Sequence, residues 1–252
     1  MQAWFRRFLC AGLLAVAAPT AASAAALLIA VEDDWPPYSV RGADGAAQGL
    51  APQLAREAFR RQGVAVRFVS VPFARCLMLA RVGRAAGCLS ATITDDNRSQ
   101  FWWHPTPMFT EELAIFAYAS SKTGLGMRDL AKRRVGITQD YTYPSAFMND
   151  PNIIKSVANS DDDLIRMLLA RRVDYVLMNT LPGQLRIRGN PSAGRVRKVG
   201  RISQDGFWLA FSKAKPKGKE RAEQFEAGLR SMRRDGSYAR LLKTFQTPPA
   251  GK

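Results

Sequence analysis

Histidine and cysteine, two residue types that build many metal and catalytic sites, are scarce in this chain. The 252 residues include one histidine, His104, and three cysteines, of which Cys10 lies in the first 24 residues. Neither Cys76 nor Cys88 has a histidine, an acidic residue or a third cysteine at metal-ligand spacing, so we expect no metal site. The chain also shows no nucleophile motif and no carboxylate dyad, and we therefore expect neither an enzyme nor a bound cofactor.

A hydrophobic run long enough to cross a membrane is missing as well. Residues 1–24 instead have the features of an export signal, with Arg6 and Arg7 ahead of a short apolar stretch at 8–18. Ala22-Ser23-Ala24 fits the small-residue cleavage rule. Cleavage after Ala24 would leave an exported mature chain, which we expect in the periplasm of a Gram-negative host.

The compartment bears on the two cysteines of the mature chain. An oxidising environment permits a disulfide between Cys76 and Cys88, which would tie a predicted helix to the strand that follows it. The alternative is a pair of buried thiols, which are common core residues. We favour the disulfide.

Acidic residues are outnumbered by basic ones, 21 to 37, which gives a formal net charge of +16. Residues 25–118 hold nine basic and nine acidic side chains, whereas residues 119–206 hold fifteen and eight, and residues 207–252 hold eleven and four. No aromatic-interleaved basic stripe or nucleic-acid motif accompanies this excess, so we interpret it as a solvated cationic surface and expect no nucleic-acid partner. Such a surface also suits anionic lipids or acidic ligands, and charge alone does not choose between them.

Predicted strands and helices alternate along the mature chain. The hydrophobic pattern predicts strands at 27–31, 64–71, 87–93, 113–119, 134–137, 153–158, 175–179, 197–202 and 207–211. It predicts helices at 50–62, 73–82, 143–148, 161–171, 182–188, 217–234 and 237–245. This alternation is typical of α/β folds with parallel sheets flanked by helices.

Two changes in composition divide the mature chain. The glycine-containing segment 122–126 is the stronger boundary, and Asp205-Gly206 is the second. We predict one lobe formed by residues 25–118 plus 207–252 and a second lobe formed by residues 119–206. Two lobes joined by two crossings suit hinge closure around a small ligand.

The first predicted strand ends in a rigid turn. Asp34-Trp35-Pro36-Pro37-Tyr38 follows it, and the prolines stop the strand because proline cannot continue a β-ladder. Since ligands sit at the carboxyl ends of strands in open α/β sheets, the aromatic and acidic side chains of this turn fit a pocket wall. A simple turn packed by its own aromatic rings is an equally supported alternative.

Further short motifs follow this turn in a fixed order. They are Gly49-Leu50, Gln62-Gly63-Val64, the Thr-rich segment 90–98, the aromatic segment 103–109, Arg134-Val135-Gly136-Ile137, Gly236-Ser237-Tyr238 and Lys243-Thr244-Phe245. Their order and spacing resemble the family 3 extracellular solute-binding proteins, the polar amino-acid type that serves ABC importers, over essentially the whole mature chain. The resemblance implies a two-lobed periplasmic-binding-protein-like fold of type II. Each lobe would be a mostly parallel sheet flanked by helices, and two hinge crossings would connect the lobes.

The resemblance also implies a ligand site. In amino-acid-binding relatives, the arginine that ends the Thr-rich segment grips the ligand's α-carboxylate, and its match here is Arg98. The chemistry fits, because a guanidinium binds a carboxylate through two parallel hydrogen bonds. Ser90 and Thr92 would complete this anion site. The Asp95-Asp96-Asn97 spacer before Arg98 is one residue longer than usual.

One second-lobe position departs from the relatives. They carry an aspartate that neutralises the ligand's α-ammonium, and this chain has Asn179 at that position. An amide carries no charge, and a buried ammonium without an anionic partner is costly. Glu32, Asp33, Asp34 or Asp140 could compensate. Otherwise the ligand lacks a free α-amine or is a different small polar anion.

The predicted function follows from this site. We expect a monomeric periplasmic receptor that captures a small polar solute, an amino acid or a related small carboxylate, in an interlobe cleft for an inner-membrane ABC permease. The expected ligand-binding residues are Asp34, Trp35, Tyr38, Ser90, Thr92, Arg98, Tyr141, Thr142 and Asn179. Two alternatives stay open: an enzyme on the same scaffold, such as a dehydratase of a prephenate-like acid, and a soluble ligand-sensing partner of a receptor.

Overall fold

The computed structural model describes residues 26–246. The predicted export signal, with its cleavage site after Ala24, lies outside these residues. Among the residues that are described, no helix has both the length and the apolar composition of a membrane span.

The described residues alternate strands and helices, as the sequence predicts. The strands are β1 (Leu27–Glu32), β2 (Asp34–Trp35), β3 (Ser39–Arg41), β4 (Ala47–Gln48), β5 (Val66–Val71), β6 (Gly87–Ala91), β7 (Phe101–Trp102), β8 (Phe109–Tyr118), β9 (Arg134–Thr138), β10 (Ile154–Ala158), β11 (Tyr175–Asn179) and β12 (Val196–Ser212). The helices are α1 (Leu50–Arg60), α2 (Phe73–Arg81), α3 (Asp95–Arg98), α4 (Ser145–Met148), α5 (Asp161–Leu169), α6 (Thr180–Gly189), α7 (Gly218–Arg234) and α8 (Ser237–Gln246).

The strands form two parallel groups joined by two antiparallel strands. In the first lobe β1 lies between β5 and β6, and it runs parallel to both. In the second lobe β9 lies between β10 and β11, again in parallel. The long strands β8 and β12 pair antiparallel with each other, and they continue onto β11 and β6 respectively. The predicted two-lobed α/β fold is therefore confirmed, with an antiparallel pair at its centre.

The crossing strand β12 differs from the prediction of two separate strands at 197–202 and 207–211. Its backbone pairs with β8 without a break at the predicted boundary, because Asp205 lies opposite Glu111 and Gly206 lies opposite Thr110. A glycine in a strand weakens it but does not end it when the ladder continues on both sides. Asp205 therefore lies within a crossing strand.

The residues after β1 also differ from the prediction. Instead of a turn alone, Asp34 and Trp35 form β2, which pairs with β3 of a small three-stranded sheet. This pairing fixes the Trp35 side chain in the first-lobe core, where only 3% of the residue is exposed.

Each lobe contains hydrophobic core residues of its own. Phe59 of α1 and Phe225 of α7 pack in the first lobe with ring centroids 5.2 Å apart. Leu113 and Ile115 of β8 pack in the second lobe. The lobe limits 25–118, 119–206 and 207–252 stay predictions. Because Leu113 packs in the second-lobe core, the limit predicted at residue 118 is better placed before Leu113.

A disulfide joins Cys76 of α2 to Cys88 of β6, with their Cα atoms 5.3 Å apart. Both cysteines are fully buried. The bond ties the helix that begins at Phe73 to the strand that carries Ser90, and both of these residues face the space between the lobes.

Candidate functional site

A cavity of about 40 Å³ lies between the lobes at the carboxyl ends of β1 and β6, and we name it the central cavity. The first lobe contributes Glu32, Trp35, Phe73, Ser90 and Thr92. The second lobe contributes Tyr141, Thr142 and Asn179. The crossing strands β8 and β12 contribute Leu113, Asp205 and Phe207.

Ser90 is the most unusual residue of the central cavity. Its φ of 64° lies in the left-handed region, which costs a residue other than glycine roughly 1–3 kcal/mol. Only 4% of Ser90 is exposed, and its Oγ has no hydrogen-bond partner among the described residues. Buried hydroxyls normally have a partner. Backbone strain together with an unpaired hydroxyl at a cavity is typical of a ligand site.

Aromatic rings form two walls of the central cavity. Trp35 of the first lobe packs on Phe207 of β12 with ring centroids 4.9 Å apart. Phe73 of the first lobe meets Tyr141 of the second lobe edge-to-face, with centroids 6.0 Å apart and an interplanar angle of 81°. Such walls offer apolar contact and the negative faces of π-systems to a bound molecule.

Glu32, the last residue of β1, is a buried carboxyl group of the central cavity. Only 7% of it is exposed, and it accepts a hydrogen bond from the Tyr141 hydroxyl of the other lobe. Burial raises the pKa of Glu32 to about 8, and the nearby Asp161 carboxylate acts in the same direction. Burial likewise raises the pKa of Tyr141, so this residue remains a hydrogen-bond donor at neutral pH.

A second space, the acidic cavity, has a volume of about 340 Å³ and shares Glu32, Phe73 and Tyr141 with the central cavity. Its acidic lining residues are Glu32, Asp33, Asp34, Asp140 and Asp161. The acidic cavity extends the site toward the first residues of α2 and α5.

Arg186 of α6 contacts three acidic residues at or next to this cavity, namely Asp34, Asp161 and Asp162. Its Nη2 donates to the Asp34 backbone oxygen at 2.9 Å and lies 2.9 Å from the Asp34 carboxylate. Its Nη1 donates to Asp162 at 2.9 Å, and its Nε lies 3.7 Å from Asp161. Asp34 belongs to the first lobe, so this arginine and the Tyr141–Glu32 hydrogen bond both connect the lobes.

A third space of about 180 Å³, the Arg98 cavity, shares Thr92, Thr142 and Asp205 with the central cavity. Arg98 ends α3, whose start is fixed by a capping box in which Thr94 and Asn97 bond each other's backbone. The Arg98 side chain is exposed and lines this neighbouring cavity. The predicted carboxylate anchor therefore lies beside the central cavity.

Tyr38 packs behind the site, contrary to the prediction that it stacks on the ligand. Its ring lies against Phe109 with centroids 4.7 Å apart, and only 4% of the residue is exposed. Its hydroxyl donates to Glu111 of β8, and Glu111 also accepts from the Leu181 backbone N–H at 3.1 Å. The ring of Tyr38 packs on Phe109 and its hydroxyl bonds Glu111, so neither is available to a ligand. These contacts join the first lobe to the crossing strand β8.

The only histidine lies in the first-lobe core, away from the central cavity. The His104 Nε2 accepts from the Leu209 backbone N–H at 3.1 Å, and Nδ1 lies 3.5 Å from Glu226. Burial lowers the pKa of His104. Within residues 26–246, no group of three or more histidine, cysteine, aspartate or glutamate side chains is placed to hold a metal ion.

Of the predicted ligand-binding residues, six share the central cavity: Trp35, Ser90, Thr92, Tyr141, Thr142 and Asn179. Asp34 and Arg98 line its two neighbours. A ligand role for each of these residues stays a prediction.

Four lining residues were not predicted, namely Phe73, Leu113, Asp205 and Phe207, and Glu32 was predicted only as a possible counter-charge for a ligand ammonium. Two of them had a usable pattern in the sequence. Asp205 stands at a predicted boundary, and Phe73 begins a helix directly after a strand. Leu113 and Phe207 lie in predicted apolar strands, and nothing in the sequence around them indicates a ligand site.

Two lobes joined by paired strands, with a polar and aromatic cavity between them, define the class of two-lobed solute-binding proteins. Residues 27–248 match the bacterial extracellular solute-binding proteins, family 3, and the chain belongs to that family. The resemblance seen in the sequence motifs is therefore confirmed.

Solved structures show the same fold. A histidine kinase sensor domain with similarity to periplasmic binding proteins is 22% identical with a TM-score of 0.78, over 88% of this chain and 96% of its own. An ancestral arginine-binding protein bound to arginine is 22% identical with a TM-score of 0.75, over 87% and 97%. The substrate-binding protein of an amino acid ABC transporter is 14% identical with a TM-score of 0.73, over 87% and 98%. No curated protein sequence gives a match to this chain.

Proposed function

We propose that the protein binds one small polar solute in the central cavity, in the periplasm, and presents it to an inner-membrane ABC permease. The observation that carries the proposal is Ser90, a strained residue that lines the cavity and whose buried hydroxyl has no hydrogen-bond partner among the described residues. Membership of a family of extracellular solute-binding proteins also supports a solute-binding function. In this proposal the solute is bound and released unchanged.

Closure of the lobes would trap the solute. First-lobe Trp35 and second-lobe Tyr141 and Asn179 line one cavity, so a molecule in it contacts both lobes at once. The β8 and β12 crossings are the places where the lobes can rotate. The Tyr141–Glu32 hydrogen bond and Arg186 connect the lobes across this site, so in this proposal the lobes part for a solute to enter.

A ring-removing substitution tests this placement. Trp35→Leu keeps an apolar core side chain and removes the indole, and we expect the affinity for a bound solute to fall at least about tenfold because aromatic contact is lost. Trp102→Leu is the matched control, since Trp102 is 38% exposed on β7 and lines a different cavity. Titration calorimetry against amino acids and small carboxylates measures both. Unchanged affinity in Trp35→Leu, measured well below the melting temperature of that variant, would contradict the placement.

A sensory role is the second candidate, favoured by the likeness to a histidine kinase sensor domain. In that case the closed protein would contact a membrane receptor instead of a permease. Solute uptake into membrane vesicles separates the two, because addition of the protein stimulates uptake only if it serves a permease. Recovery of the solute chemically unchanged after incubation tests binding without turnover.

A further inference from the structure

One end of the first lobe carries a dense group of basic side chains. Four lysines lie in the segment 213–219, and two arginines lie at the end of α2 and just after it, namely Arg81 and Arg84. All six residues are exposed. Within residues 26–246, the one salt bridge that any of them makes joins Lys217 to Glu220 at 3.9 Å. Most of this positive charge therefore faces solvent without a counter-charge.

Exposed apolar side chains lie among these charges. Trp102 of β7 is 38% exposed, and Val82 after α2 is 54% exposed. Trp102 is the one tryptophan with an exposed position between residues 26 and 246. The Lys213 Nζ lies 4.6 Å from the centroid of the Trp102 ring and donates to the Ser99 backbone oxygen at 2.6 Å. The structure thus holds an ammonium group and a large ring side by side at the surface.

The basic and apolar groups belong to one surface. Near its end, β12 lies between β6 and β7, because Phe211 pairs with both Gly87 and Trp102. The lysine segment continues directly from this end. Gly83 lies against that segment, since a Cβ on Gly83 would be 3.1 Å from the Ala214 Cβ. We name this surface the basic face, and it consists of Arg81, Val82, Arg84, Trp102 and the four lysines of 213–219.

The basic face lies away from the central cavity. Helix α2 begins at Phe73, which lines that cavity, and ends at Arg81, roughly 12 Å along the helix axis. Strand β12 passes the cavity at Phe207 and ends at Ser212, roughly 17 Å further on. A partner that meets the basic face therefore does not cover the central cavity.

The composition of the basic face indicates the chemistry of its partner. Residues 81–84 and 213–223 hold seven basic side chains and two acidic ones, Glu220 and Glu223, which are exposed on α7. Lysine is a compact charge on a flexible stem and does not impose the fixed fork geometry of arginine on one carboxylate. A cluster of four to eight such charges attracts the headgroups of anionic lipids. A purely charged partner would leave Trp102 and Val82 in water, whereas the headgroup region of a bilayer receives aromatic and apolar side chains.

We infer that the basic face binds the surface of an anionic phospholipid bilayer. The lysines lie at the lipid phosphates, and the Trp102 ring lies at the level of the headgroups. This property goes beyond the proposed function and does not rest on it, because the basic face and the central cavity share no residue. The protein bound in this way keeps its cleft free for a solute.

Vesicle binding provides the first test. The probes are vesicles of phosphatidylglycerol and phosphatidylcholine in equal parts, and vesicles of phosphatidylcholine alone. The protein is purified after export, and mass spectrometry determines its first residue, because the apolar and basic segment 1–24 would itself bind lipid. At low salt we expect at least about tenfold tighter binding to the anionic vesicles. Sodium chloride at about 0.5 M should remove most of this difference, because salt screens the attraction.

Matched variants provide the second test. Lys215→Glu with Lys219→Glu should weaken binding to the anionic vesicles about 25-fold or more, since each basic residue near such a surface contributes about fivefold. Lys122→Glu with Lys132→Glu is the control, because it changes the net charge equally at exposed positions of the second lobe. We expect the control to lose less than about threefold, since distant charges are screened. Trp102→Ala should weaken binding about fivefold, because its ring no longer enters the headgroup region.

The outcomes separate the inference from the proposed function. Equal binding to anionic and neutral vesicles would show that the inference is wrong. Equal losses in the two double-lysine variants would also overturn it, because net charge alone would then explain the adsorption. Unchanged binding of Trp102→Ala would contradict the position given to the ring. Solute affinity should change less than about twofold in every variant, and melting temperatures establish that each variant folds.

Discussion

Removing the disulfide is expected to lower the free energy of unfolding by about 2–4 kcal/mol. The bond links Cys76 and Cys88, which are 12 positions apart, and its absence gives the unfolded chain more conformational freedom. Cys76→Ala with Cys88→Ala is the suitable double variant, because both sites are fully buried and alanine adds no unpaired polar group. Urea unfolding at neutral pH, without reductant for the parent, measures the difference.

The control for this experiment is the parent protein with its disulfide reduced. It should approach the stability of the double variant, since both lack the bond and keep the rest of the core. Solute affinity should fall as well, because the bond holds α2, which carries Phe73, against β6, which carries Ser90. A double variant as stable as the oxidised parent would show that the bond constrains little.

Stability is expected to fall as the pH rises from about 5 to about 8, through the ionisation of Glu32. Burial raises the pKa of this group from 4.5 to about 8 in the folded protein. The stabilisation from the protonated form is fully present below the ordinary pKa and is lost as the pH passes through the raised one. A shift of this size corresponds to roughly a few kcal/mol.

The difference between the parent and Glu32→Gln isolates this effect. His104 acts in the opposite direction, because its lowered pKa favours the folded state at higher pH, but it is present in both proteins. Urea unfolding at pH 5, 6, 7 and 8 should show a smaller decline for Glu32→Gln than for the parent, with Glu223→Gln behaving as the parent. Parallel pH profiles for all three would contradict a buried, proton-carrying Glu32.

Local patterns predicted much of the secondary structure. The start of α5 at Asp161, where the predicted helix also begins, is an example. The signals act within one turn, since Ser160 Oγ accepts from the Asp163 backbone N–H at 3.1 Å and three acidic residues follow Ser160. The five residues of β11 were also predicted with the observed bounds.

The parts that could not be predicted depend on distant pairing. The continuity of β12 through Asp205 comes from its partner β8, which lies about ninety positions earlier in the chain. The burial of Tyr38 likewise comes from Phe109 and Glu111, and no pattern near Tyr38 contains that information. The boundary signal at Asp205-Gly206 marks a crossing between the lobes, whereas the place of Asp205 in the central cavity depends on the same long-range pairing.

A crystal structure of the protein with the tightest-binding solute of the calorimetric panel tests the central proposal most directly. We expect electron density for the solute in the central cavity, in contact with the Trp35 ring and within hydrogen-bond distance of Ser90 Oγ. Density outside the cleft, with Ser90 Oγ still unpaired and the central cavity empty, would contradict it.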